Sequence, residues 1–146
     1  MRRDHLADCA RLYVAIFNRP PWNGRWTART AAQHIEESFR DPGFRGIVAL
    51  EDTAVIGFAY GLIFQWENER RFYAEAMCVR DGRQCNGVGT RLLSHLMKKL
   101  NAEHVRQISL STGRHLPVKA FYLKLGFAIN PEVIIMTKRL PKRAKK

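Results

Sequence analysis

The stretch "RQCNGVGTRLLSHLMKKL", residues 83–100, joins a glycine-containing loop to a helical pattern. Apolar residues recur there at every fourth position: Val88, Leu92, Leu96 and Leu100. This spacing predicts an α-helix with one apolar face. The first N–H groups of a helix lack intrahelical partners and attract anions, and glycines let a phosphate come close to the backbone. By itself the stretch fits a phosphate-binding loop and a tight strand-to-helix turn equally well.

Two common phosphate-binding motifs do not match this loop. A P-loop ends in Gly-Lys followed by serine or threonine, whereas Gly89 is followed by threonine and arginine. A dinucleotide-binding fingerprint would need a third glycine where the chain has Leu92. The pattern that remains is Gln84-x-x-Gly87-x-Gly89, between a predicted buried strand and the helix.

The other periodic patterns predict an α/β fold. Helices are predicted at about 5–18, at 27–40, from 88 onward and at 117–126, and strands at 45–51, 54–64, 71–79, 104–112, 127–129 and 132–138. The order ααβββαβαββ fits an α/β sandwich with a mixed sheet. Because no repeat or linker divides the chain, residues 1–138 are predicted to form one domain, followed by a basic tail at 139–146.

The composition is that of a globular protein, with 46% hydrophobic residues in a chain of 146. Three cysteines are an odd number without disulfide-framework spacing, which favours a cytoplasmic location over secretion. Asp8 and Arg11 interrupt the first apolar pattern, so neither a signal peptide nor a membrane span is predicted there. The five histidines lack metal-ligand spacing, and no metal is predicted.

The net charge of +12 has more than one interpretation. Six of the 25 lysines and arginines lie in the last nine positions, which fits a solvated tail. A basic surface also attracts polyanions such as nucleic acid or a phosphate-rich cofactor. No base-reading helix or RNA-binding motif accompanies the charge, and this argues against a nucleic-acid partner.

Three segments in the same order resemble the GCN5-related N-acetyltransferase (GNAT) family: "EAMCV" (75–79), the glycine loop and "AFYLKLGF" (120–127). The resemblance covers about residues 44–138. It implies a mixed, mostly antiparallel central sheet flanked by about four helices. Many members begin with a strand, but only about four residues precede the first helix here, so that strand is expected to be short or missing.

The resemblance also implies that acetyl-CoA is the co-substrate. In the family the loop binds its pyrophosphate, and the sheet splays so that one strand can pair with the pantetheine arm. The positions that match the strand are Met77, Cys78 and Val79, and those that match the loop are Gln84, Cys85, Asn86, Gly87, Val88, Gly89 and Thr90. An N–H near Met77 is expected to polarise the thioester carbonyl.

Two side chains are candidates for proton transfer. Tyr122 matches a tyrosine that the family commonly places near the thioester, where it acts as the acid; the alternative is a packed aromatic with a surface hydroxyl. Glu75 lies in an apolar strand, where an ionised carboxylate is costly unless it is paired. Members of the family often carry a glutamate in this strand, so Glu75 is the candidate base; the alternative is a structural ion pair with an arginine.

Trp22 and Trp26 flank the loop between the first two helices, in the region where the family varies with its substrate. They either line a substrate pocket or hold the two helices together.

The resemblance leads to one functional prediction and several alternatives. The prediction is direct transfer of an acetyl group from acetyl-CoA to a primary amine of a small molecule. The alternatives are acetylation of a protein amine, a non-catalytic acyl-CoA-binding module and a basic nucleic-acid-binding module. Many relatives form dimers, so a homodimer is compatible with the sequence.

Overall fold

The fold consists of four helices and one four-stranded sheet, as seen in a computed structural model that describes residues 1–145. The helices are α1 Leu6–Phe17, α2 Ala28–Phe39, α3 Val88–Ala102 and α4 Val118–Lys124, and the strands are β1 Phe44–Glu51, β2 Ala54–Trp66, β3 Glu69–Val79 and β4 Val105–Leu110. Within residues 1–145, no helix is both long and apolar enough to cross a membrane. The α/β fold, its four helices and most element positions confirm the sequence prediction.

The sheet is mixed and mostly antiparallel, with the strand order β1-β2-β3-β4. The first three strands pair antiparallel, and β4 pairs parallel to β3. A two-residue turn joins β1 to β2, and Asp52 occupies its left-handed position with φ 54°. Before α1, the described residues form a short 3₁₀-helix, Arg3–His5, and no strand.

The two faces of the sheet are covered by different helices. Helices α1 and α2 pack on one face, over the fully buried rings of Phe58 and Tyr60. Helix α3 packs on the other face, where Leu96 and Leu100 meet Phe72 of β3. The four-residue repeat of the opening stretch is therefore the core-facing side of α3.

The start of α2 shows how local sequence sets a helix boundary. The Thr30 N–H donates to Thr27 Oγ1 at 3.1 Å, and the Thr27 N–H donates back to Thr30 Oγ1 at 2.9 Å. These reciprocal bonds satisfy two N–H groups that the first turn of the helix leaves free. Thr27 is the N-cap, as the sequence predicted.

The two strands predicted after α4 are wrong. Residues 127–129 and 132–138 form no strand, and large apolar side chains from Ile129 to Leu140 are exposed. The β-branched pattern is present, but a strand also needs a neighbouring backbone to pair with, and the pattern does not supply one. The predicted basic tail is exposed from 139 to 145, and Lys146 lies outside the described residues.

Candidate active site

The sheet opens between β3 and β4. Pairing between these strands runs from Arg70 opposite Val105 to Ala74 opposite Leu110, and it stops there. Strand β3 continues for five more residues, paired only with β2. Within residues 1–145, the edge of β3 from 75 to 79 therefore has no neighbouring strand, and we call this opening the β3–β4 gap.

Two residues of β3 direct their backbone groups into the gap. The Arg80 N–H donates to the Ile56 carbonyl of β2 at 2.7 Å. Since successive residues of a strand point their N–H and C=O groups to alternate sides, Met77 and Val79 face the gap. Cys78 faces β2 instead, and its buried thiol has a raised pKa because it is desolvated. Pairing with pantetheine was predicted for Met77, Cys78 and Val79. The backbone groups of Met77 and Val79 point into the gap as such pairing requires, whereas those of Cys78 point toward β2.

A β-bulge lies where the strands separate. The register between β2 and β3 shifts between Tyr60 and Gly61, so that Glu75 is an extra residue on β3. A Cβ at Gly61 would lie 2.0 Å from the Tyr73 carbonyl oxygen, so a larger residue there would have to displace backbone. Because a bulge bends its strand, this one turns the end of β3 away from β4.

The glycine loop presents a run of free backbone donors. In the described chain, no N–H from Gln84 to Thr90 donates to a protein acceptor. Gly87, the N-cap of α3, has φ 78°, and Cys85 also has a positive φ of 62°. The first turn of α3 contains no acidic residue. Consecutive N–H groups around left-handed residues at a helix start form a concave anion-binding surface.

Side chains hold this loop in place. Gln84 Nε2 donates to the Val79 carbonyl at 2.9 Å, so its amide braces the loop against the end of β3. Arg83 forms two 2.6 Å hydrogen bonds with the carboxylate of Glu51, at the end of β1. The side chains of Gln84 and Arg83 therefore form hydrogen bonds within the protein, and the groups of the loop that are free to bind a ligand are its backbone N–H groups.

Gly89 marks the point where three elements converge. A Cβ at this position would lie 3.4 Å from Phe121 Cζ of α4 and 3.7 Å from Val79 Cγ2 of β3. The start of α3 therefore packs close to α4 and to the end of β3 at Gly89. The predicted "AFYLKLGF" segment thus lies beside the glycine loop.

Tyr122 lies in an aromatic cluster on the α3 side of the sheet. Its ring packs edge-on against Phe121 and Phe127, with centroids at 5.3 and 5.5 Å. Desolvation raises the pKa of the Tyr122 phenol above its ordinary value of about 10, so the phenol is protonated at neutral pH. Its hydroxyl has no hydrogen-bond partner among residues 1–145.

Glu75 projects toward the opposite face. Ser38 Oγ of α2 donates to Glu75 Oε2 at 2.5 Å. None of the ion pairs among residues 1–145 includes Glu75, so the alternative of an ion pair with an arginine has no counterpart in this part of the chain. Nearby, the hydroxyl of Tyr60 is buried and has no hydrogen-bond partner among residues 1–145. Burial raises the pKa of the Tyr60 phenol.

The sequence did not indicate Ser38 or Tyr60 as part of this site. Ser38 is 37 positions away from Glu75 in the sequence and lies in the last turn of α2, an amphipathic helix with no motif at that position. Tyr60 lies in a run of buried apolar residues of β2, and the direction of the Glu75 side chain depends on a bulge that no local residue pattern predicted.

The two tryptophans have different surroundings. Trp26 packs edge-on against Tyr13, with centroids at 4.9 Å, and both its backbone groups bond the Asn18 side chain at 2.8 Å. Its ring also lies 5.1 Å from the ring of His34 in α2, between centroids, so Trp26 holds α1 and α2 together. Trp22 is 38% exposed and borders a cleft of about 370 Å³ that Gln84 also lines. Only Trp22 of the pair opens onto a cleft beside the glycine loop.

In this fold a mixed sheet opens between two parallel strands, and free N–H groups at the start of a helix lie beside the opening. This arrangement is that of an α/β acyltransferase. The chain belongs to the acetyltransferase (GNAT) family, whose family profile matches residues 8–127. A comparison with curated protein sequences gave no match.

Solved structures with the same fold include several acetyltransferases. A putative acetyltransferase from Agrobacterium tumefaciens has a TM-score of 0.77 at 22% identity, covering 94% of this chain and 96% of that one. The aminoglycoside N-acetyltransferase AAC(6′)-Iy in complex with CoA has a TM-score of 0.77 at 20% identity, and the match covers 96% of this chain and 92% of that one. An aminoglycoside acetyltransferase from an uncultured soil metagenomic sample, in complex with sisomicin, has a TM-score of 0.74 at 13% identity. The match covers 97% of this chain and 93% of that one.

Proposed function

We propose that this protein transfers the acetyl group of acetyl-CoA directly to a primary amine of a small molecule. The observation that carries the proposal is the β3–β4 gap, which runs from the free edge of Met77 and Val79 to the unpaired N–H groups of residues 84–90. One opening therefore combines a strand-like edge with an anion-binding end.

These two parts fit the two ends of the acetyl-CoA phosphopantetheine arm. The amide groups of pantetheine pair with the backbone of Met77 and with the N–H of Val79, as an added strand would. The pyrophosphate accepts hydrogen bonds from the N–H groups between Gln84 and Thr90.

Bound acetyl-CoA supplies a thioester carbonyl as the acyl donor. The Met77 N–H polarises that carbonyl oxygen, on which charge develops as the amine attacks. Glu75 accepts a proton from the amine, directly or through a water, so that a carbon–nitrogen bond can form. The protonated phenol of Tyr122 donates its proton to the thiolate as the carbon–sulfur bond breaks.

The positions of the two side chains support this division of roles. Glu75 faces α2 and Tyr122 faces α3, so they lie on opposite faces of the sheet beside the same gap. We assign the α2 side to the amine, with Trp22 lining its approach and Trp26 a packing residue. The sisomicin and CoA complexes of structural neighbours support an amine acceptor of small-molecule size.

Acetyl-CoA binding is tested by thermal unfolding. A ligand at about 100 times its Kd stabilises a fold by about 2.7 kcal/mol. Gly87→Glu and Gly89→Glu add a carboxylate beside the donors of residues 84–90, so we expect both to abolish the acetyl-CoA-dependent rise in Tm. Gly82→Glu is the matched control because Gly82 also has a positive φ, 80°, but precedes these donors. A rise that persists in both loop variants would remove the loop from the proposal.

Catalysis is tested by release of free CoA thiol with a panel of amines. The panel contains small primary amines, aminoglycosides, polyamines and a peptide with a free N-terminus. We expect release above the hydrolysis background for at least one small amine and none for the peptide. Release with the peptide alone would support the protein-amine alternative.

A further inference from the structure

The hairpin of β2 and β3 carries three exposed aromatic side chains near its turn. Phe64, Trp66 and Tyr73 are 38%, 50% and 39% exposed, although each lies within a strand. Single exposed apolar residues are common on protein surfaces, but a group of large rings on one element marks a binding surface.

The direction of these rings follows from the alternation of side chains along a strand. Ile63 and Phe72 are buried in the cluster that α3 covers. Their neighbours Phe64 and Tyr73 therefore point to the opposite face, on which α1 and α2 lie. Trp66, two positions after Phe64, points in the same direction. We call Phe64, Trp66 and Tyr73 the aromatic platform.

The aromatic platform lies beside the proposed base. Glu75 follows Tyr73 by two positions, and Ser38 in the last turn of α2 holds its carboxylate on the same face of the sheet. Strand β1 begins opposite Leu62, so the hairpin projects past the start of β1 and its rings stay exposed. A small molecule on the platform therefore reaches the Glu75 carboxylate from the open side of the sheet.

Contacts within the protein hold two of the rings in place. The hydroxyl of Tyr73 donates to Ser111 Oγ, just beyond β4, at 2.9 Å. The guanidinium carbon of Arg71 lies 5.1 Å from the centroid of the Trp66 ring, and Arg71 Nε bonds Glu69 Oε1 at 2.6 Å. Because these rings are fixed before a ligand arrives, binding loses less side-chain entropy.

The charges on this face favour an acceptor with a single amine. Strands β2 and β3 carry two carboxylates here, Glu69 and Glu75. Glu69 is paired with Arg71, whereas within residues 1–145 Glu75 has no cationic partner. A polyamine or an aminoglycoside carries several ammonium groups, and each of them needs its own acceptor when it leaves water. The platform beside Glu75 provides apolar surface instead.

We propose that the acceptor is a primary amine joined by a short chain to an aromatic ring, an arylalkylamine, whose ring packs on the aromatic platform. Tyr73 pairs with Leu62, so Phe64 and Tyr73 are diagonal neighbours, about 7–8 Å apart, and one ring contacts both. Aromatic rings attract one another in edge-on and offset arrangements. The amine then lies at Glu75. This inference rests on the proposed function, because it names the acceptor of the same transfer.

The first test compares thiol release with phenethylamine, ethylamine, glucosamine and spermidine. We expect phenethylamine to give the highest kcat/KM of the four. Phe64→Ala should lower kcat/KM for phenethylamine about tenfold and that for ethylamine, which has no ring, by a much smaller factor. Gln65→Ala is the matched control, because Gln65 is exposed on the opposite face of the same strand. A preference for glucosamine or spermidine, or an equal loss with both monoamines, would overturn the proposal.

The second test measures binding without turnover, so that a failure of the proposed reaction is distinguished from a failure of the platform. Phenethylamine is titrated by calorimetry into the protein in the presence of CoA. We expect a Kd that rises about tenfold in Phe64→Ala and stays the same in Gln65→Ala. Binding of this kind without turnover of any amine would refute acetyl transfer and support the platform. No binding, or an unchanged Kd in Phe64→Ala, would refute the platform even where other amines are acetylated.

Discussion

The phenol of Tyr122, the proposed acid, is surrounded by aromatic rings. Burial raises the pKa of its phenol above the ordinary value of about 10, so the proton is held across the neutral range. We expect Tyr122→Phe to lower kcat by on the order of 100-fold, because general acid catalysis contributes at least that much in typical enzymes. The Kd for acetyl-CoA should stay nearly the same, since phenylalanine keeps the contacts with Phe121 and Phe127.

The measurement is a steady-state assay of thiol release together with calorimetric titration of acetyl-CoA. Equal turnover of the variant and the unaltered protein would remove Tyr122 from the reaction. A parallel loss of acetyl-CoA affinity would instead assign the side chain to binding.

Glu75 is held by one short hydrogen bond from Ser38 rather than by a cation. Glu75→Gln keeps a carbonyl oxygen for that hydroxyl but cannot take a proton, so we expect kcat to fall by on the order of 100-fold with the fold intact. Glu37→Gln on the exposed side of α2 makes the same change in charge and serves as the control. Stopped assays at saturating amine measure both variants, and unchanged turnover in Glu75→Gln would show that Glu75 is not the base.

At the scale of elements, one ion pair joins the end of α3 to the start of β1. Arg45 Nε and Nη2 bond the two carboxylate oxygens of Glu103 at 2.6 and 2.7 Å. We expect Glu103→Gln to lower the free energy of unfolding at pH 7 by about 0.5–1 kcal/mol, the range of a partly exposed pair screened by solvent. Urea unfolding of both proteins measures the difference.

The pH dependence of this pair follows from the shifted pKa. The hydrogen bond from Arg45 lowers the pKa of Glu103 below its ordinary value of 4.5. The folded state therefore favours the ionised form, so the contribution is complete above pH 4.5 and is lost as the pH falls through the lowered pKa. The stability difference between the two proteins should shrink over that acidic range. A constant difference at all pH values would show that the carboxylate charge does not stabilise this junction.

Elements defined by local patterns could be predicted from the sequence. The apolar repeat of α3 and the threonine cap of α2 depend on residues within one or two turns, and both were located correctly. The strands predicted after α4 were located incorrectly, because a strand forms only where a neighbouring strand, distant in the sequence, lies beside it. The same limit applies to the site: motif residues were recognisable, whereas Ser38 reaches Glu75 only through the packing of α2 on the sheet.

At the scale of the whole molecule, the bulge at Glu75 connects the fold to the proposed chemistry. It ends the pairing of β3 with β4 and so exposes the edge at Met77 and Val79. The helix start at Gly87 lies beyond the end of that edge, and Tyr122 lies on one face of the sheet while Glu75 lies on the other. A mixed sheet without this separation would bury the same residues without giving a cofactor access to them.

Part of the positive charge of the molecule lies in the C-terminal tail. Removal of residues 139–146 takes away five lysines and arginines and lowers the formal net charge from +12 to +7. Because the described part of this tail is exposed, we expect thiol release to be unchanged in the shortened chain. Binding to duplex DNA should weaken, with the slope of log K against log salt falling by about 0.9 for each lost phosphate contact. Fluorescence anisotropy over a salt series measures the slope. Loss of acetyl transfer with an unchanged slope would place the tail at the active site and contradict its role as a solvated basic extension.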